Sequence, residues 1–227
     1  SPIEELGIQE VYVAWEDNRN GNSNLDVYFL HGLLDNERER FVAVETIGMA
    51  TASGNQYEPD LNINRCKNEL VLGFTDNSQG DLNVFFKTIE IGSGAPKVTG
   101  VRTVPSAGAT GRDVPVSENP QFAPAVGEDR VAFIDRRSGF WDVYILDYQV
   151  RSLRREEPDG EIRITDTRQQ VSELAAAGSR VVWVEVEGGV VRLQVGTLEI
   201  QDVPEQKPVL EMSDQRRQYL MDALMNR

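Results

Sequence analysis

Carboxylates are the only abundant side chains in this sequence that could act on a substrate, with 37 Asp and Glu against one histidine and one cysteine. His31 would have to serve any Ser- or Cys-based nucleophile by itself, which argues against triad and dyad hydrolases. Cys66 lies in Asn64-Arg-Cys-Lys-Asn68, a turn-like string without the flanking groups of an activated thiol. A single cysteine cannot form an intrachain disulfide or supply a cysteine-based zinc site. Gly92-Ser-Gly-Ala-Pro96 lacks both the spacing and the lysine of a phosphate loop. Two chemistries survive. Glycan cleavage needs only two acids at a fixed separation, with exposed aromatics such as Trp141 and Tyr57 to hold a sugar, although no pair of acids stands apart from the rest. Calcium binding is the other: Asp17, Asn20, Asn22 and Asp26, with Asn18 and Asn24 between them, gather hard oxygen ligands in one turn. The register is not that of an EF-hand, and an Asn-rich turn closed by its own hydrogen bonds is the competing reading.

The acids that recur do so on a fixed pattern. An aromatic residue, an acid two places on and a glycine four places later repeat as Trp15-Asp17-Gly21, Phe74-Asp76-Gly80, Phe133-Asp135-Gly139 and Trp183-Glu185-Gly189. Asp17 and Asp76 lie 59 residues apart, as do Asp76 and Asp135, and Glu185 follows after 50. A recurrence of this length marks a repeat architecture, each unit too small to bury its own apolar face. The aromatic ring and the acid share one face of a strand. There the ring packs between neighbouring sheets, while the acid accepts N–H bonds from the turn that the glycine closes. Repetition in equivalent places is the signature of structure, whereas a catalytic constellation occurs once. Arg19 and Arg137 are placed to pair with Asp17 and Asp135.

The elements that carry these residues read as hairpins of β-branched and aromatic composition. Val11–Asp17 and Asp26–Leu30 form the first, Glu69–Asp76 and Leu82–Phe86 the second, Arg130–Asp135 and Trp141–Leu146 the third, and Arg180–Glu185 and Val190–Val195 the fourth. His31 falls just beyond the return strand of the first. A Pro or small residue feeding an apolar stretch precedes each hairpin, at Ser1-Pro2-Ile3, Glu58–Leu61, Ala123–Val126 and Ser172–Ala175, and predicts an innermost strand. Outer strands are predicted at Phe41–Glu45, Val98–Val104, Glu161–Thr165 and Pro208–Leu210. Four units of four short antiparallel strands make an all-β propeller of about four blades, or a partial one, over residues 1–210. The blades divide at about 1–55, 56–118, 119–170 and 171–210. Residues 105–120, rich in Gly, Ala, Ser and Pro, read as a surface loop. Residues 211–227 form a short amphipathic C-terminal helix whose Leu220, Met221, Leu224 and Met225 would dock on a partner chain or on the domain itself.

The formal charge of −14 disfavours nucleic acid and anionic lipid as partners. No apolar run is long enough to span a bilayer, so no membrane span is expected.

The strings Val13-Ala-Trp-Glu-Asp-Asn-Arg-Asn-Gly21 with Asp26-Val-Tyr28, and Phe133-Ile-Asp-Arg-Arg-Ser-Gly139 with Asp142-Val-Tyr144, resemble the W-x-D-x-R-x-G-x-x-D-I-Y hairpin of TolB-like propeller repeats. The second unit matches in part, with Ser78 and Asn83 in place of Arg and Asp, and the fourth poorly. The resemblance implies a propeller, a periplasmic or cell-surface setting, and a binding scaffold whose motif carries no reaction and no cofactor. TolB-like propellers usually have six or more blades, so four units make either a small ring or an arc that another chain completes. The expected function is a non-catalytic interaction module in an exported or cell-surface protein assembly. The alternative is an extracellular propeller that binds or cleaves polysaccharide.

Overall fold

The computed structural model describes residues 7–21, 24–51, 53–64, 68–78, 80–91, 95–103, 119–127, 130–147, 161–166, 168–178, 180–197 and 214–225. The expected strands at Ser1–Ile3 and Pro208–Leu210, most of the 105–120 loop, and Cys66 lie outside these residues.

Four antiparallel sheets follow one another along the chain. Sheet one contains β1 (Ile8–Asp17), β2 (Asp26–Asp35) and β3 (Arg40–Ala50). Sheet two runs β4 (Gln56–Asn64), β5 (Glu69–Asp76), β6 (Asn83–Glu90) and β7 (Lys97–Thr103). Sheet three is β8 (Gln121–Val126), β9 (Arg130–Asp135), β10 (Asp142–Asp147) and β11 (Glu161–Arg163), and sheet four is β12 (Gln170–Ala177), β13 (Arg180–Glu187) and β14 (Val190–Thr197). Strands are hydrogen-bonded in chain order within every sheet, the meander of a propeller blade. A single helix, α1 (Asp214–Met225), ends the described chain.

The repeats superpose in register. Trp15 faces Tyr28 across its hairpin, Phe74 faces Phe85, Phe133 faces Tyr144 and Trp183 faces Gln194. Three of these pairs are stacked rings with centroids 5.8–5.9 Å apart. Because side chains alternate across a strand, each sheet turns one apolar row to the sheet before it and one to the sheet after. Tyr12, Ala14, Val27 and Phe29 of sheet one meet Leu70, Leu72, Phe74 and Ile89 of sheet two. Val71, Val84 and Phe86 then meet Val126, Val131, Phe133 and Tyr144 of sheet three, whose Ala132, Ile134, Val143 and Ile145 meet Val171, Val181 and Trp183 of sheet four. No unit closes a core alone.

The innermost strands share a device that proline only hints at. Glu58, Ala123 and Glu173 have φ of +54°, +51° and +51°, and the ladder shifts register at each of them. At the first two the bulge also takes the next residue out of the ladder, so Pro59 and Pro124 lose no hydrogen bond by lacking an N–H, whereas Leu174 still pairs with Trp183. Polar side chains tie these bulges together. Glu58 N–H donates to Glu16 Oε1 (2.6 Å), while Glu58 Oε2 accepts from Ala123 N–H and from the Thr75 hydroxyl, both at 3.0 Å. Farther along, Val126 N–H donates to Asp60 Oδ2 (2.7 Å) and Asn62 Nδ2 to the Val126 carbonyl (2.8 Å).

Gly73 shows how closely β8 approaches β5: a Cβ there would sit 2.8 Å from Val126 Cγ2 and 3.2 Å from Pro124 Cβ. Gly73→Ala should therefore push sheets two and three apart and cost about 1–3 kcal/mol, the usual range for overpacking. A urea midpoint unchanged from the parent would show that the seam yields freely.

The structure extends or shortens several predicted elements. β2 runs five residues past Leu30, so His31 lies inside a strand and is fully buried. β3 reaches Ala50 because its bulged ladder follows the longer β2, and β11 stops at Arg163.

Candidate functional site

The repeated corners are built alike and are saturated with protein contacts. Asp17 Oδ1 accepts from Arg19 N–H (2.7 Å) and Oδ2 from Arg19 Nε (2.8 Å) and Trp15 Nε1 (3.2 Å). Asp135 repeats the arrangement, accepting from Arg137 N–H (2.7 Å) and Nε (2.8 Å), and Asp76 accepts from Ser78 N–H (2.6 Å). Glu185 accepts from Trp183 Nε1 (2.9 Å). Gly21, Gly80 and Gly139 each donate to the carbonyl three residues back, at 2.8–3.0 Å. Gly80 and Gly139 have φ of +106° and +91°, which side-chain-bearing residues rarely adopt. Gly189, at φ +82°, closes the shorter fourth turn. The arginines lie over the return-strand rings, Arg19 4.2 Å from the Tyr28 centroid and Arg137 4.5 Å from that of Tyr144. Bonds from Arg19 hold the Asp17 carboxyl down at about 2.

The Asn-rich turn of the first hairpin is a hydrogen-bonded loop. Asn20 Nδ2 donates to Asp26 Oδ2 (2.8 Å) and to the Tyr28 hydroxyl (2.7 Å), Asn24 Nδ2 to Asp26 Oδ1 (3.1 Å), and Asn24 Oδ1 accepts from Gly54 N–H (3.1 Å). This is the competing reading of the turn, closed by its own hydrogen bonds: Asp17 and Asp26 direct their oxygens at N–H donors, and Asn20 turns its amide nitrogen inward. Asn22 lies outside the described residues. Among the described residues no group of three or more His, Cys, Asp or Glu is arranged to hold a metal ion. The aromatics proposed for a sugar cleft do not form one surface element. Trp141 packs edge-on against Phe122 with centroids 5.1 Å apart, whereas Tyr57 belongs to β4 of the preceding sheet.

The helix docks on its own domain. Leu220 is fully buried with Ile8 and Leu33, and Val44, Tyr219, Ala223 and Leu224 pack around them. Leu220 and Leu224, expected as partner contacts, are thus spent on sheet one. Met221 is half-buried, and the side chain of Met225 is outside the description. Beneath the helix lies the most unusual polar cluster of the described chain, and sequence reasoning missed it. Arg216, 2% exposed, donates through Nη2 to Glu10 Oε2 (2.5 Å) and to the Tyr12 hydroxyl (3.0 Å). Tyr12 also donates to Glu10. His31 Nε2 is 3.2 Å from Glu10 Oε2, and the imidazole lies between Tyr12 and Tyr219, at 5.1 and 6.2 Å between centroids. Burial pushes the Glu10 carboxyl up, but His31, the charge of Arg216 and the Tyr12 hydroxyl outweigh it and hold the group at about 2. Burial beside the Glu10 charge pushes the Tyr12 phenol up.

This depression carries a sign. A carboxyl at about 2 in the folded chain and 4.5 otherwise contributes stability in full above pH 4.5, and that stability is lost as pH falls toward 2. The contribution is on the order of 3 kcal/mol. Acidification from pH 5 to pH 2 should therefore loosen α1 from sheet one, seen as rising amide exchange across residues 214–225. Glu10→Gln should flatten that response. An equal loss of protection in parent and variant would place the acid-sensitive group elsewhere.

The two outer faces of the stack are the remaining candidates. On β14, Val191, Leu193 and Val195 are 68%, 70% and 59% exposed. Val182, Val184 and Val186 of β13 pair with Val195, Leu193 and Val191 and share their face. No signal but composition marks this strip in the sequence.

Four consecutive four- and three-stranded meanders, packed face to face through repeated aromatic positions, define an all-β chain of propeller type. Solved structures of that type resemble it. A chain assigned as TolB from Agrobacterium tumefaciens is 13% identical over 82% of this chain and 57% of its own length, with a TM-score of 0.47. TolB from Acinetobacter baumannii gives 15% identity, 82% and 38% coverage, and a TM-score of 0.44. The β-propeller domain of the Trilobed protease from Pyrococcus furiosus gives 13%, 84% and 66%, with 0.38. The chain thus spans less than two thirds of each of these structures. No family model and no curated protein matches it.

Proposed function

We propose that the chain is a non-catalytic β-propeller interaction module, one that scaffolds a protein assembly outside the cytoplasm. The observation that carries this reading is the apolar strip Val191–Leu193–Val195, left open on a sheet whose counterparts are covered. An exposed face of this kind marks a protein contact. The repeated acids favour the same reading, since each described one is occupied with turn or neighbouring donors. The extracytoplasmic setting rests on the resemblance of the Trp15–Tyr28 and Phe133–Tyr144 hairpins to exported propeller repeats.

The native particle tests the reading. Tagged chain recovered under mild conditions from the cells that make it should appear by native mass spectrometry in a complex of fixed stoichiometry. A lone 25.4 kDa species at every concentration would refute the scaffold role.

A further inference from the structure

The three internal junctions of the stack use the same positions, and the register of the aromatic pairs fixes the equivalence. The face turned to the preceding sheet carries the repeated aromatic and the residue two before it. Leu72 with Phe74, Val131 with Phe133 and Val181 with Trp183 are all 8% exposed or less. The face turned to the following sheet carries the residues on either side of the aromatic's cross-strand partner. Val27 with Phe29, Val84 with Phe86 and Val143 with Ile145 are all 2% exposed or less.

At the two ends the same positions are bare. Leu193 and Val195 hold the places of Val27 and Phe29 yet are 70% and 59% exposed. Val13 holds the place of Leu72, Val131 and Val181, none above 1%, and is 42% exposed, with Trp15 beside it half-buried. Sheets one and four therefore do not cover each other within one copy. One end offers the face that receives an aromatic row, and the other offers an aromatic row.

We propose that the chain pairs head to tail with a second copy, the Leu193–Val195 face of each packing on the Val13–Trp15 face of the other, so that two four-sheet arcs close one eight-sheet ring. The proposal rests on the interaction-module reading and names its partner. Continuity with the internal junctions supplies the contact chemistry. A single kind of unlike-face contact closes when its rotation completes a ring, and eight blades lie within the usual propeller range.

Light scattering and sedimentation of the purified 227-residue chain test this. The expected mass is twice 25.4 kDa. Leu193→Asp and Val13→Asp should each raise the dissociation constant about a hundredfold or more, since each buries an unpaired charge in the contact. Both residues are exposed in a single copy, so the monomers should keep the parent's circular dichroism and cooperative unfolding, while losing the rise of melting temperature with concentration that a dimer shows. A monomeric parent overturns the pairing. If its native particle still holds another protein, the module reading stands and the open face belongs to that partner or to a further sheet. A dimer that survives Val13→Asp but not Leu193→Asp is a face-to-face pair and also overturns the proposal, as do polymers longer than two.

Discussion

Asp135→Ala is expected to lower stability by about 3–5 kcal/mol, the cost of breaking a buried charged pair from one side. The Asp135 carboxylate is fully buried and bonded to Arg137, and its Oδ2 also accepts from Gln121 Nε2 at 2.8 Å. Arg137, 14% exposed, reaches on to Glu161. Truncation would leave the guanidinium with Glu161 alone and strand the Gln121 amide in a seam where Gln121 N–H is already bonded to the Leu82 carbonyl just before β6. The same substitution at Asp17 should cost far less, because its partner Arg19 is 47% exposed and water replaces what is lost. Denaturant midpoints of the two variants check the contrast. Equal effects would mean that the corner motif, and not its burial, sets the energy.

Arg216→Ala is expected to free the helix. It leaves the Glu10 carboxylate, already turned to Tyr12 and His31, without its cation in a mostly buried site, at a cost of about 3 kcal/mol. Amide exchange of residues 214–225 should accelerate about a hundredfold at neutral pH while the strands of sheets two and three stay protected. Leu220→Ala, which opens a cavity beside Ile8 and Leu33, should act in the same direction. An unchanged exchange profile in Arg216→Ala would show that apolar contacts alone hold α1.

The hairpins were legible because their signals are local. β-branched and aromatic composition marks β1, β2, β5, β6, β9, β10, β13 and β14, and the spacing of acid and glycine marks the turns between them. Trp15, Phe74, Phe133 and Trp183 do occupy equivalent places, since a strand's alternation fixes which face a ring must take. What escaped the sequence was long-range. Arg216 is 206 residues from Glu10, and nothing near either residue announces the other. His31 reads from the sequence as lying just beyond its strand, whereas the rings and the acid that bury it come from β1 and α1. On α1 the sequence leaves docking on the domain and docking on a partner both open, because the face that packs on sheet one also carries Arg216, Tyr219 and Ala223 beside Leu220 and Leu224. Proline marked the innermost strands at Pro59 and Pro124, but the left-handed residue before each is a backbone property that composition does not display.

Every sheet here leans on its immediate neighbours in the chain, and among the described residues sheet four has a neighbour on one side only. Load applied to such an arrangement travels link by link, so a pull on the β14 end would peel the molecule from that margin inward. Damage at sheet two or three would instead cut it into two halves, neither able to shelter its newly bared rows.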